Sequence, residues 1–280
     1  MKQIYEKLNF GTAGIPINAP DRNTIDGLAY IKKLGLSGME IEFVRSVNIS
    51  PEKAPLVKEA AKKNGIELTC HGQYYINLSS LEKPKIHASI GRVLNAARIA
   101  NLCGAKSVTF HAGFYQKQDP VKVYEIIKRY MKEIVAKLKD ESNPIFVRPE
   151  TTGKATQFGT VEEIARLSQE IEQVLPCIDF SHLHARTNGK FNTKREFDSV
   201  FELIEKKLGK EALNKMHCHV SGIEYGEKGE RNHLILEESD FNYKDLMKSF
   251  KDFKAKGIII SESPNIEEDA LLMKKEYDKL

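Results

Sequence analysis

Four cysteines, Cys70, Cys103, Cys177 and Cys218, lie scattered with no C-x-x-C pair among them, which excludes a disulfide framework and a ribbon-type zinc site and leaves reduced core thiols. No apolar run approaches the roughly 18 residues that would span a bilayer. The start, MKQIYEKLNFG, lacks the apolar stretch of a secretory signal, so a cytoplasmic protein with no membrane contact is expected. Neither sign of charge dominates. The 43 basic and 39 acidic side chains leave +4, enough to permit a polyanionic partner but far below the density of a dedicated nucleic-acid wrapper. Walker loop, G-x-G-x-x-G and Ser-His-Asp spacing are missing too, which removes the commonest competing chemistries. There is no low-complexity segment or linker, and the 41% hydrophobic and 29% charged residues are spread evenly, as in an ordinary globular domain.

What is present is repetition. Short β-rich runs begin at residues 8 (LNFGTAG), 38 (GMEIEFV), 66 (IELTCHG), 106 (KSVTFHAGF), 143 (NPIFVRPE), 175 (LPCIDFSH), 215 (KMHCHVSG) and 257 (GIIISES). Segments of 3.6-residue periodicity, such as VYEIIKRYMKEIVAKL, separate them and are long enough for crossover helices. Gly35, Gly65, Gly104, Gly209 and Gly257 close helix-like segments at or just before strand starts. Thr160 with Glu163, Thr193 with Glu196 and Asn265 with Glu268 have capping-box spacing, and Ser50-Pro51 and Asp119-Pro120 pair a cap residue with a first-turn proline. Eight unbroken β-α units predict an α/β protein, a single-domain (β/α)8 TIM barrel over residues 1–280, with a doubly wound sheet as second choice. The irregular stretch from about 221 to 241 reads as a functional loop.

Barrel enzymes draw their catalytic groups from the C-terminal ends of strands. Here those ends carry His71, His111, Glu150, Asp179 with His182, His217 with His219, and Glu262, while His233 lies in the long loop after run seven. A single histidine is more often a hydrogen-bonded core or surface residue than a ligand. Yet seven of the eight histidines fall at strand ends or adjoining loops, and three carboxylates join them where an unpaired buried charge would be costly. His87, inside a helical segment, takes the structural reading. Mixed imidazole and carboxylate ligands without thiolate suit Zn2+, Mn2+ or Fe2+, and their number exceeds what one ion needs. At least two ions are implied. Paired divalent ions hydrolyse phosphate esters by lowering the pKa of a water toward about 7 and clamping the attacking and leaving oxygens.

HGQYYINL, FHAGF, RPETTGK, IDFSH, MHCHVSG and SES-P resemble, in order and spacing, the motifs of the endonuclease IV family, through nearly the whole chain. The resemblance implies a TIM barrel of the xylose-isomerase-like superfamily. It also implies a zinc-dependent endodeoxyribonuclease that cuts double-stranded DNA on the 5′ side of abasic sites in base-excision repair, without a protein partner. Carried over, His71 and His111 hold one zinc, and Glu150 bridges it to a second held by Asp179, His217 and Glu262. Glu150 and Glu262 are then the carboxylates nearest the reacting phosphorus. His182 and His233 hold a third ion, whose remaining family ligand is an aspartate at the place of Arg231; Glu230, Glu227, Asn232, His219 or His184 are the substitutes, or the site holds two ions, with Mn2+ as an alternative to zinc. Tyr74, Tyr75 and Arg45 match residues inserted into the minor groove, and Lys154, Arg186, Lys190, Lys228 and Arg231 are candidate phosphate contacts. A sugar isomerase or epimerase on the same barrel is the alternative enzyme. A DNA-binding or scaffold protein that has lost its third metal is the non-enzymatic one.

Overall fold

Each of the eight β-rich runs becomes a strand of one parallel sheet in the computed structural model, which describes residues 5–280; the first four residues of the start read for a signal lie outside the described residues. The barrel strands are β1 (Leu8–Ala13), β2 (Gly38–Glu42), β3 (Glu67–His71), β4 (Ser107–Phe110), β5 (Phe146–Pro149), β6 (Ile178–Asp179), β7 (Met216–Val220) and β10 (Gly257–Ser261). They run in the order β5-β4-β3-β2-β1-β10-β7-β6. Parallel bridges Val147–Val174 and Glu150–Cys177 then join β5 to the segment entering β6 and close the cylinder. Arg148 reinforces this seam from inside. Its buried guanidinium donates to the carbonyls of Pro176 and Lys215, both at 2.6 Å.

The crossovers are α1 (Thr24–Lys33), α2 (Ala54–Asn64), α3 (Lys83–Leu102), α4 (Pro120–Asp140), α5 (Val161–Glu170), α7 (Lys194–Leu208) and α8 (Tyr243–Asp252), with α9 (Glu267–Asp278) completing the ring and a short α6 (Phe180–Arg186) rising directly from β6. In α4, Val123, Ile127, Met131, Ile134 and Leu138 repeat at three- and four-residue steps and are all buried against the sheet. Full burial of each such side chain contributes about 1.5–3 kcal/mol. Starts follow the expected chemistry at α5 and α7, where the Thr160–Glu163 and Thr193–Glu196 capping boxes form, and at α4, where Asp119 accepts from the amides of Val121 and Lys122. Asn265 and Glu268 do not make a box: α9 begins beyond Asn265, whose side chain bonds Asp269 instead.

The apolar core fills the space between sheet and helices, whereas Tyr5, Ile258 and Ile260 form a small separate cluster inside the cylinder. The rest of the interior is largely polar, with Glu40, Thr69, Thr109, Arg148, His217 and His219 all buried. The stretch read as an irregular loop is ordered. It forms an antiparallel hairpin of β8 (Gly222–Gly226) and β9 (Gly229–Leu234), with a register shift at Glu224/Tyr225. Among the described residues no helix is long and apolar enough to cross a membrane.

Candidate metal centre

From β3 onward, each barrel strand delivers a polar side chain to the same mouth. His71 ends β3, His111 follows β4, Glu150 follows β5, Asp179 ends β6, His219 lies in β7 and Glu262 follows β10, while α6 adds His182 and β9 adds Glu230 and His233. They gather in three sets, His71–His111–Glu150, Glu150–Asp179–His219–Glu262 and His182–Glu230–His233, and within each set the ligand atoms lie within 4.8 Å of one another. Glu150 belongs to two of them. Its Oε2 is 3.4 Å from His71 Nε2 and 3.5 Å from His111 Nε2, and its Oε1 is 3.2 Å from His219 Nδ1.

Backbone carbonyls aim three of the imidazoles. His71 Nδ1 lies 2.7 Å from the Gly72 carbonyl, His182 Nδ1 2.9 Å from that of Thr151, and His233 Nδ1 3.1 Å from that of Glu262. A carbonyl can only accept, so Nδ1 carries the proton and Nε2 is left as the ligand. Asp179 is held by its own helix: Oδ1 accepts from the His182 amide at 2.6 Å as the cap of α6. Its Oδ2, like Glu150 Oε2, is buried with no hydrogen-bond partner. Orphaned buried carboxylate oxygens ringed by imidazole nitrogens are costly unless a cation completes them, and this donor set fits Zn2+, Mn2+ or Fe2+.

The charges within the ring are strongly coupled. Burial works against protonation of His71, but Glu150 beside it outweighs that and raises the imidazole to about 10. His182 and His219 are raised as well against the same burial, His182 by Asp179 and Glu150, His219 by Cys177 and the surrounding glutamates. Burial pushes Asp179 up to about 7 despite His182. Glu150 is held well below the usual carboxylate range because His219 and His111 overcome its burial, and Glu230 is drawn down to about 2 in the same way by His182. Without ions the ring therefore retains protons as its counter-charges, and cation entry must displace them.

Several expectations need correction. His217 lies outside the three sets at the mouth and groups instead with Cys177 and His219, the ligand atoms of these three lying within 4.8 Å of one another. Strand alternation turns both His217 and His219 inward, but His217 sits two residues deeper, its Nε2 2.9 Å from Glu40 Oε2 and its Nδ1 3.1 Å from Ser107 Oγ, and His219 stands in its place. The third set is completed by Glu230, whose Oε2 is 3.6 Å from His182 Nε2, while Arg231 points outward to Glu224. His184 is not a ligand: Phe191 O and Asp240 Oδ1 occupy its nitrogens at 3.1 and 3.0 Å. Arg186 is committed to the backbone, one Nη1 facing the carbonyls of Thr152, Lys154 and Gln157 and the Thr152 hydroxyl. Tyr74 and Tyr75 are each 66% exposed on the rim, the Tyr74 ring 5.8 Å from that of His71, and exposed Arg45 adjoins them through its carbonyl bond to Gln73. Lys190, Lys228 and Arg231 are exposed and Lys154 half-buried.

Glu40 and Glu42 escaped the sequence reading. Glu40 lies fully buried beneath the ring, and Glu42, half-buried at the end of β2, is pushed by desolvation up to about 8. The signal was there, since GMEIEFV places two carboxylates at alternate positions of an otherwise apolar strand.

Comparison with known proteins follows this geometry. The model of the xylose isomerase-like TIM barrel family matches residues 28–279. An uncharacterized protein of Methanocaldococcus jannaschii is 44% identical over 98% of both chains. A probable endonuclease 4 of Oceanobacillus iheyensis is 26% identical over 63% of this chain and 60% of its own length. Among solved structures, endonuclease IV from Thermus thermophilus superposes with a TM-score of 0.71 at 18% identity, covering 98% of this chain and 100% of that one. A D-tagatose 3-epimerase-like protein superposes at 0.73 and 18% identity, covering 97% of each, and at that identity both likenesses speak to the fold alone. The chain belongs to the xylose isomerase-like TIM barrel family, and within it resembles the endonuclease IV members.

Proposed function

We propose that the chain is a divalent-metal-dependent endodeoxyribonuclease that hydrolyses the DNA phosphodiester on the 5′ side of an abasic site, with zinc in three positions and Mn2+ as a substitute. The observation that carries this reading is the set of three ligand groups at the mouth, two of them sharing Glu150, more donors than a single ion can use. His71 and His111 would hold one ion, and Glu150 would share it with a neighbour held by Asp179, His219 and Glu262. His182, Glu230 and His233 would hold the third. When bound, such ions supply a water of lowered pKa and neutralise charge on the leaving oxygen. The chain's own groups do the positioning. Glu150 and Glu262, whose ligand atoms lie within 4.8 Å of one another, would be the carboxylates nearest the reacting phosphorus, and the carbonyl-pinned imidazoles keep their ligand nitrogens aimed without reorganisation. Tyr74 and Tyr75 are large and exposed, Tyr74 beside His71, and would enter an unstacked step of the duplex, which is least costly where a base is already missing.

The test is incubation of purified protein with a duplex bearing one synthetic abasic site, with Zn2+ or Mn2+ supplied. Cleavage immediately 5′ to the site, leaving a 3′-hydroxyl, is expected. An intact strand, together with turnover of ketoses by the same preparation, would transfer the assignment to the epimerase reading that the barrel's structural neighbours keep in view.

A further inference from the structure

His219 is oriented differently from its neighbours in the ring. His71, His182 and His233 each give Nδ1–H to a backbone carbonyl and present Nε2. His219 is reversed: Nδ1 faces Glu150 at 3.2 Å and Glu262 at 3.3 Å, and Nε2 points down the barrel to Glu40 Oε1 at 2.7 Å. It sits within β7, where the backbone carbonyls are engaged in pairing with β10, so the acceptor that fixes its ring comes from a side chain. The other oxygen of Glu40 lies 2.9 Å from His217 Nε2, and His217 Nδ1 meets the Ser107 hydroxyl at 3.1 Å. Glu40, His217 and His219 have no measurable exposure, so water cannot stand in for any of these partners.

We propose that Glu40 is a positioning residue for the metal centre: it receives Nε2–H from His219, fixes that ring as the tautomer whose Nδ1 lone pair faces Glu150 and Glu262, and is itself kept in register by His217. The proton inventory is consistent. Both nitrogens of His219 face carboxylates, which can only accept; a cation on Nδ1 would displace the proton there, leaving the remaining proton of each imidazole on Nε2 toward Glu40 and His217 Nδ1 to accept from Ser107. Glu40 thus presents one carboxylate oxygen to each of the two imidazoles. A carboxylate behind a metal-binding imidazole also makes it a stronger donor, and loss of such a partner costs about 10- to 100-fold in metal affinity or activity. The role of Glu40 in catalysis rests on the nuclease reading, but its role in orienting His219 does not.

The experiment compares wild type, E40Q and E40D. A glutamine can accept from only one imidazole and must present N–H to the other. E40Q should lose zinc affinity at one position by about 10- to 100-fold in chelator competition and lose kcat on the abasic duplex by a similar factor, with KM unchanged. E40D, which keeps the charge, should recover part of both. Wild-type zinc affinity and kcat in E40Q would overturn the proposal. If E40Q does not fold, nitrogen-15 spectra of histidine-labelled, zinc-loaded wild type decide: a proton on His219 Nε2 supports it, and a proton on Nδ1 refutes it. An anomalous zinc peak between Glu40, His217 and Cys177 would also refute it, since Glu40 would then be a ligand. Absence of DNA cleavage in wild type would end the nuclease reading while leaving the affinity and tautomer measurements to judge Glu40.

Discussion

His182 and His184 stand two residues apart on the same short helix, both buried, yet one belongs to the ring and the other to the scaffold. Both nitrogens of His184 are spent on protein partners, its ring packs against Tyr225 at 4.9 Å and Phe241 at 5.7 Å, and Asp240 joins it to the Tyr225 hydroxyl. His182 has one nitrogen committed to Thr151 O, while its Nε2 looks across 3.6 Å to Glu230. The lesson is that burial does not separate a ligand from a structural histidine; unspent valence does. The scaffold histidine steadies the β8–β9 hairpin on which the ring depends for Glu230 and His233.

The sharpest way to break this contrast is to remove the group shared by two ligand sets. Glu150→Gln should lower kcat on an abasic duplex by about 1,000-fold, measured in single-turnover cleavage, and should reduce metal content. His182→Ala should lose one ion per chain and about 100-fold in rate, whereas His184→Ala should keep its ions and its rate within about twofold while losing about 1–3 kcal/mol of stability in denaturant titration. Equal metal loss in the two variants would erase the distinction. Tyr75→Ala, on the rim, should raise KM for DNA about tenfold and leave metal content unchanged.

His71 and Asp179 in the ring and Asp240 in the scaffold cluster respond to acidity with opposite signs. In metal-stripped protein, His71 is raised to about 10 from an ordinary value near 6.5, so its contribution is complete below about pH 6.5 and disappears as pH climbs through 10. Asp179, raised to about 7, acts in the same direction from lower pH. Asp240 in the scaffold cluster is lowered: its burial is outweighed by Tyr225 and His184, so its contribution is present above its ordinary value near 4 and lost in acid. The melting temperature of chelated protein should therefore fall between pH 6.5 and 10, and added zinc should flatten the decline; a chelated protein indifferent to pH in that window would contradict the charge assignment. The smallest effect is expected from Arg231→Ala, whose side chain is 61% exposed and pairs with Glu224, with metal content by elemental analysis unchanged.

The barrel was legible because each buried parallel strand is a short apolar run closed by turn residues, and each crossover carries its own helical period. The hairpin at 222–234 was not, because most of its side chains face solvent or the mouth and show no apolar pattern. Its register shift, invisible in sequence, is what brings Glu230 rather than residue 231 to His182. Strand alternation correctly turned residues 217 and 219 inward but carries no information about depth, and about 6–7 Å along the strand separates a ligand from a supporting residue.

Arg186 has a consequence of its own. By fastening several carbonyls of the loop beyond β5, it removes slack from the wall beside Glu150. On the nuclease reading, a duplex pressed against that wall would meet an anvil rather than a cushion, the distortion needed for a fit would fall on the DNA, and a backbone weakened by a lost base would yield most cheaply.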